Sequence, residues 1–212
     1  MRIVLASDNR GKLKELDSLL SPLGHDVIAQ AEFGIESPPE TGATFLENAI
    51  LKARHAAQAT GLPSLADDSG LEVDSLDGRP GIYSARYAGE SATDVENIRK
   101  LLVELTGVAT DLRTARYQCV IVLMRSPDDP DPIVTRGTWE GRILTMPRGT
   151  GGFGYDPIFL PIGQDRTAAE LDTAVKNERS HRGQALEALI DRLQSESEPA
   201  NEAGTNDADS SP

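Results

Sequence analysis

The sequence predicts an α/β protein, and three observations carry that prediction. A strand-like apolar run, Arg2 to Ala6, passes through a short polar turn into Lys12–Leu20, where apolar residues recur at helical spacing. Thr44 and Thr93 are each followed three residues on by a glutamate, Glu47 and Glu96, the spacing at which side chain and backbone cap each other at a helix start. Residues 114–125 and 132–139 read as long strands joined by the polar turn Ser126–Asp131, an antiparallel hairpin pattern. At 212 residues the chain has room for one large domain or two small lobes around a real core.

Taken in order, Ser7-Asp8-Asn9-Arg10-Gly11-Lys12 joins the first strand to the first helix. A strand feeding such a turn offers N–H groups, a hydroxyl and a lysine to an anion, although a plain helix cap is the alternative. Asp26–Ala29 reads as a second strand, and Ser37–Gly42 as a loop before a helix over 44–60 whose buried side is Phe45, Leu46, Ala49, Ile50 and Ala53. Glu40 falls just before this helix and Lys52 two turns into it; for Lys52 alone a solvated face is the ordinary expectation. Pro63–Val73 reads as a strand interrupted by Asp67, Asp68, Ser69 and Gly70. Strands avoid aspartate, so this pair points to something besides folding, although a strand running into an Asp-Ser-Gly turn is the alternative. Strand alternation sends the two carboxylates to opposite faces, one toward a pocket and the other free to hold local backbone. Carboxylates beside a glycine on a rigid strand suit Mg²⁺ and the phosphates it carries.

Leu76–Gly81 is a turn cluster, residues 82–87 are expected to be extended or irregular, and a helix over 93–105 ends at Gly107. Trp139–Ile143 continues the sheet. In Thr150–Pro157 three glycines surround Phe153, which leaves backbone open to a flat ligand and a ring to stack on it; a glycine-rich turn with a buried aromatic is the competing reading. Lys176–Gly183 leads into a last helix with Leu186, Leu189, Ile190 and Leu193 on its apolar side. His181 and Arg182 stand at its N-terminus, where the helix dipole disfavours cations, and this breach of a local rule points to a ligand.

The apolar share of 38% is modest, in part because 196–212 is rich in Ser, Glu, Asn, Asp and Ala and carries −5 of the net charge of −13. That segment is expected to be a disordered acidic tail after a domain over 1–195. An acidic surface argues against nucleic acid, and no apolar run approaches the length of a membrane span. One cysteine, Cys119, and three histidines exclude a disulfide framework and a His/Cys zinc centre. A soluble, cytoplasmic protein is expected.

Five blocks resemble the inosine/xanthosine triphosphate pyrophosphatase family over about residues 1–193: Glu40-Thr41-Gly42 with Phe45-x-Glu47-Asn48-Ala49 and Lys52-Ala53; Ala66-Asp67-Asp68-Ser69-Gly70-Leu71; Pro80-Gly81-Ile82-Tyr83-Ser84-Ala85-Arg86; Gly151-Gly152-Phe153-Gly154-Tyr155-Asp156-Pro157; and Ser180-His181-Arg182-Gly183. The resemblance implies an elongated mixed sheet with flanking helices, two lobes around a nucleotide-binding cleft, and a homodimer. It implies Mg²⁺-dependent conversion of ITP, dITP and XTP to monophosphate and pyrophosphate. In the turn Ser7, Asp8, Asn9, Arg10, Gly11 and Lys12, it makes Ser7, Asn9 and Lys12 the holders of the triphosphate. Glu40 and Asp68 would bind the metal, Asp68 would take the proton of the attacking water with a nearby cation keeping it ionised, and Lys52 would neutralise phosphate charge. Ser69 would contact substrate. Phe153, Gly154, Tyr155 and Asp156 would stack on and flank the base, and Lys176, His181 and Arg182 would read its polar edge. The family usually has Gly where this chain has Asp8, whose side chain is therefore expected to point away unless the loop's contacts differ. A Maf-type pyrophosphatase is the rival enzyme, though its motifs are not evident, and a silent nucleotide-binding module is the rival of another class.

Overall fold

The computed structural model describes residues 1–197, without the side chains of Arg10, Glu15 and Ser197. In chain order the elements are β1 (Arg2–Leu5), α1 (Arg10–Leu20), β2 (Asp26–Ala29), α2 (Phe45–Thr60), β3 (Ser64–Val73), α3 (Asp94–Glu104), β4 (Thr114–Met124), β5 (Ile133–Ile143), β6 (Phe159–Pro161), α4 (Thr173–Arg179) and α5 (His181–Ser197). The strands form one mixed sheet in the order β2-β1-β3-β4-β5-β6, with β1 parallel to β2 and β3 and every other pair antiparallel.

Both threonine caps form. Thr93 and Glu96 make the reciprocal box. At α2, Thr44 accepts from the Glu47 N–H, whereas the Glu47 carboxylate reaches one residue further back, to the Ala43 N–H. The sequence pattern misses β6 and α4, which are too short to show a period. Residues 81–86, partly expected as extended, coil into a 3₁₀ segment. Helix α5 continues to Ser197, so Glu196 belongs to it and pairs with Arg125 at 2.6 Å; residues 198–212 of the expected tail lie outside the described residues. No described helix is long and apolar enough to cross a membrane.

Alternation along β3 divides the core. Ala66 faces α2 and packs with Phe45, Ala49, Ala53 and Val122. The opposite face carries two clusters in succession along β3, β4 and β5. Near β1, helices α1 and α5 close over Leu65, Ile121, Leu123 and Ile133. Further along, α3 and β6 close over Leu71, Val73, Tyr117 and Trp139. These are the two lobes, and Ser69 and Cys119 sit at their junction on β3 and β4.

The strand register opens the cleft between them. β1 pairs with β3 only at Val4–Ser64 and Leu5–Leu65, after which the chain leaves for α1 while β3 runs on to Val73. The freed edge is taken up again at Leu71, whose N–H donates to the Ser84 hydroxyl at 2.9 Å. Gly70 permits that approach: a Cβ there would lie 2.4 Å from the Gly81 carbonyl and 2.6 Å from Ser84 Oγ. Asp67, Asp68 and Ser69 occupy the gap left in the edge.

Candidate active site

At the start of α1, Asn9 caps the helix, its side-chain oxygen accepting from the Gly11 and Lys12 N–H groups at 2.8 and 3.2 Å. The plain cap is thus realised, and those amides already have an acceptor. Asn9 and Lys12 nonetheless line the cleft. Ser7 accepts from the Asn9 N–H, while Asp8 turns aside as expected, held by Gln30 Nε2 at 3.0 Å and by the Ser37 hydroxyl. The Arg10 side chain lies outside the described residues.

Lys52 departs from its ordinary expectation of solvent: it is 9% exposed, and its ammonium lies between two carboxylates, 2.8 Å from Glu40 Oε1 and 3.0 Å from Asp68 Oδ1. Helix spacing explains the arrangement, because Asn48 and Lys52 are one turn apart and therefore share a face turned to β3. Asn48 Nδ2 donates to Asp68 Oδ2 at 3.3 Å, and Arg86 Nη1 holds Glu40 Oε2 at 3.1 Å. Burial raises the Asp68 pKa, and Glu40 adds to the rise against the opposing pull of Lys52. The neighbouring cation therefore does not keep Asp68 as acidic as the sequence suggests. Glu40 is also pushed up by burial, but Lys52 and Arg86 outweigh it and lower its pKa. Burial would lower the Lys52 pKa, yet Asp68 and Glu40 raise it, so the ammonium is charged.

Asp67 faces the other way, as alternation requires, but it does not hold backbone. Its two oxygens meet Lys12 Nζ at 2.7 Å and Arg182 Nη2 at 3.3 Å. Burial pushes its carboxyl upward, and these two cations overcome that to hold it well below the usual carboxylate range. Arg182 also reaches toward Ser69 Oγ at 3.5 Å.

In the glycine-rich stretch Phe153 is 61% exposed, which removes the buried-aromatic reading. Lys176 Nζ lies 4.7 Å and Arg182 Cζ 6.0 Å from its ring centroid, within or near cation–π range. Asp156 fastens the loop from within, accepting from the Phe153 N–H at 2.9 Å and pairing with Lys176. Tyr155 is buried and donates its hydroxyl to the Ser84 carbonyl at 2.9 Å. His181 stacks on Tyr117 at 4.7 Å and 9°. Burial first, then Arg182 and Lys176, drive its pKa down to about 3, so it is neutral. Its Nδ1 has no hydrogen-bond partner among the described residues.

Asn9, Lys12, Glu40, Lys52, Asp68, Ser69, Phe153, Gly154, Tyr155, His181 and Arg182 all border one cleft of about 300 Å³. A second groove of about 380 Å³, between Leu19 and Leu186, is bordered by Glu178 and Glu187 and, among the described residues, by no Lys or Arg, so its charge is unsuited to a polyanion. Ser7, Asp8, Gly11, Asp156 and Lys176 stand behind or beside the cleft lining. Residue-by-residue reading overlooked Asn48, Arg86 and Asp94, the last of which lines the cleft and accepts from the Gly154 N–H at 2.6 Å. For Asn48 the signal was its place one helical turn before Lys52; for Asp94 there was none beyond a helix start.

Fold and cleft together define a class: an α/β protein with clustered cations, a buried carboxylate–lysine centre and one open aromatic ring, the equipment of a nucleotide hydrolase. The chain belongs to the Ham1 family, whose family model matches residues 3–192. It is 58% identical over 193 residues to a dITP/XTP pyrophosphatase of Vibrio cholerae, covering 91% of this chain and 96% of that one. Identity to the dITP/XTP pyrophosphatase of Escherichia coli K12 is 57% over 192 residues, 91% of this chain and 98% of the other. The solved structure of a HAM1 protein from Coxiella burnetii superposes with a TM-score of 0.89 at 53% identity, covering 92% of this chain and 99% of that one.

Proposed function

We propose that this protein hydrolyses purine nucleoside triphosphates with non-standard bases, namely dITP, ITP and XTP, to the monophosphate and pyrophosphate. The observation that carries the reading is the convergence of the Glu40–Lys52–Asp68 centre and the Phe153 ring on one cleft, in a chain 58% identical to a dITP/XTP pyrophosphatase.

Lys12 and Lys52 meet the phosphate charge, and Asn9 places the start of α1 beside it. Asp68 accepts the proton of the water that attacks the α-phosphorus, from a position on the cleft wall 3.0 Å from the Lys52 ammonium. Pyrophosphate departs with its charge met by lysine, so positioning and electrostatics supply most of the rate. Phe153 stacks on the base. Neutral His181 offers one donor and one acceptor, whereas Lys176 and Arg182 only donate; together they suit a 6-oxo purine and leave adenine's amino group badly paired.

The donor set fits Mg²⁺: two carboxylates converge on one cation position, held by the Lys52 ammonium, and Mg²⁺ uses one or two carboxylates with phosphate oxygens and water. Among the described residues no group of three or more His, Cys, Asp or Glu could hold a metal, so Glu40 and Asp68 would hold it together with the substrate. When bound it would polarise the phosphate oxygens and share the leaving group's charge. A homodimer belongs to this reading on the family resemblance alone, and a cytoplasmic location on the single cysteine and the shortness of every apolar run.

The test is product analysis with ITP, dITP, XTP and ATP. Pyrophosphate from the first three and little from ATP is expected, with Asp68→Asn lowering turnover by roughly 10²-fold or more at unchanged fold. Release of single phosphates, or a fully active Asp68→Asn, would end the assignment.

A further inference from the structure

Asp67 is the buried acid for which the proposed chemistry has no use. It lies in the sheet beside Asp68 but on the other face, with its carboxylate divided between two distant segments. One oxygen is 2.7 Å from Lys12 on α1, the other 3.3 Å from Arg182 on α5. Both cations line the cleft, whereas Asp67 is not among its lining residues. A carboxylate that two long, flexible side chains share restricts the rotamers of both, and each loses less entropy when a ligand arrives.

We infer that Asp67 is a positioning residue that ties the phosphate end of the cleft to its base end, by holding Lys12 and Arg182 on one carboxylate. The inference rests on the proposed reading of Arg182 as a base-facing donor and adds a coupling that neither residue supplies alone. Its geometry has a direct consequence. A change at Lys12, which is at the phosphate end, must alter the choice of base, because it alters how strongly Asp67 draws Arg182 back from the ring of Phe153, 6.0 Å away. Replacing Asp67 by the isosteric Asn removes the shared anion and leaves Arg182 unfixed, which weakens base choice as well.

The measurement is kcat/KM for pyrophosphate release from ITP and from ATP in the wild-type chain, Asp67→Asn and Lys12→Met. Asp67→Asn should lower kcat/KM for ITP by about tenfold or more, since misplacement of a binding group is costly. Both variants should narrow the ITP-to-ATP ratio by at least about twofold, the low end of coupling between residues in one network. A purely structural role cannot produce that result, because loss of folded protein scales the two nucleotides alike. Lys12→Met leaves the buried acid in place and so tests the coupling even where Asp67→Asn does not fold. Equal rates on ITP and ATP in the wild type would bring down the functional reading and this inference with it. A wild-type preference for ITP that Lys12→Met keeps unchanged would overturn the inference alone.

Discussion

Replacing Lys52 by Met should be costly twice over, in stability and in turnover. The ammonium makes two charge-assisted hydrogen bonds, at 2.8 and 3.0 Å, to carboxylates whose side chains are 28% and 11% exposed. Met keeps the packing of the stem and removes the charge, leaving Glu40 and Asp68 to face each other with Arg86 and Asn48 as their remaining side-chain donors among the described residues. Breaking one side of a buried pair costs about 3–5 kcal/mol, and the partial exposure of Glu40 argues for the lower end, about 3 kcal/mol. Turnover should fall by roughly 10²-fold or more, as when a preorganised charge beside the reacting phosphate is lost. The deficit should depend on pH with a definite sign. Without Lys52 the native state holds Asp68 with its pKa still further above the unfolded value, so the native state binds protons more readily and regains stability as pH falls. Urea unfolding at pH 7 and pH 5 should therefore show the gap to wild type narrowing at the lower pH. Added Mg²⁺ should recover more stability in the variant than in the wild type, since a divalent cation answers the two freed carboxylates. A variant as stable as wild type at pH 7, or a gap that widens on acidification, would refute the reasoning.

Two further outcomes can be checked on stability alone. His181 is neutral and buried with its pKa near 3 against an ordinary 6.5, so below pH 6.5 the unfolded chain takes up a proton that the native chain refuses. Stability falls with pH through that window by up to about 1.4 kcal/mol per unit, and His181→Gln should have a correspondingly flatter slope in urea titrations between pH 6.5 and 5. Gly70→Ala should cost about 1–3 kcal/mol, because its Cβ meets a backbone carbonyl at 2.4 Å and the segment carrying Ser84 and Arg86 has to move. A melting temperature equal to wild type would show that the edge of β3 has room to spare.

Local chemistry determined what the sequence shows on its own. Thr44 and Thr93 start α2 and α3 where their side chains cap the backbone, and the apolar periods of α1 and α5 appear where the pattern places them. Alternation correctly separated Asp67 from Asp68, since a strand's side-chain period of two depends on nothing beyond the strand. Part of the cleft was legible as breaches of local rules: acids in a strand, glycines around an aromatic, and Arg182 at a helix N-terminus, where its neighbour His181, expected as a second cation, is neutral. Their partners were not. Lys12 and Asp67 are 55 residues apart and Arg182 and Asp67 115, so no short window contains either pair. Asp67 was expected to hold local backbone, and only the packing of α1 and α5 on the same sheet face gives it two cations. Lys52 reads as a solvated helix residue until α2 is laid on β3, and the upward shift of the Asp68 pKa follows from how deeply that packing buries it beside Glu40. Capping and alternation are short-range and survive in any context, whereas desolvation and ion pairing depend on which distant surfaces close over a side chain, and that is decided by the tertiary structure.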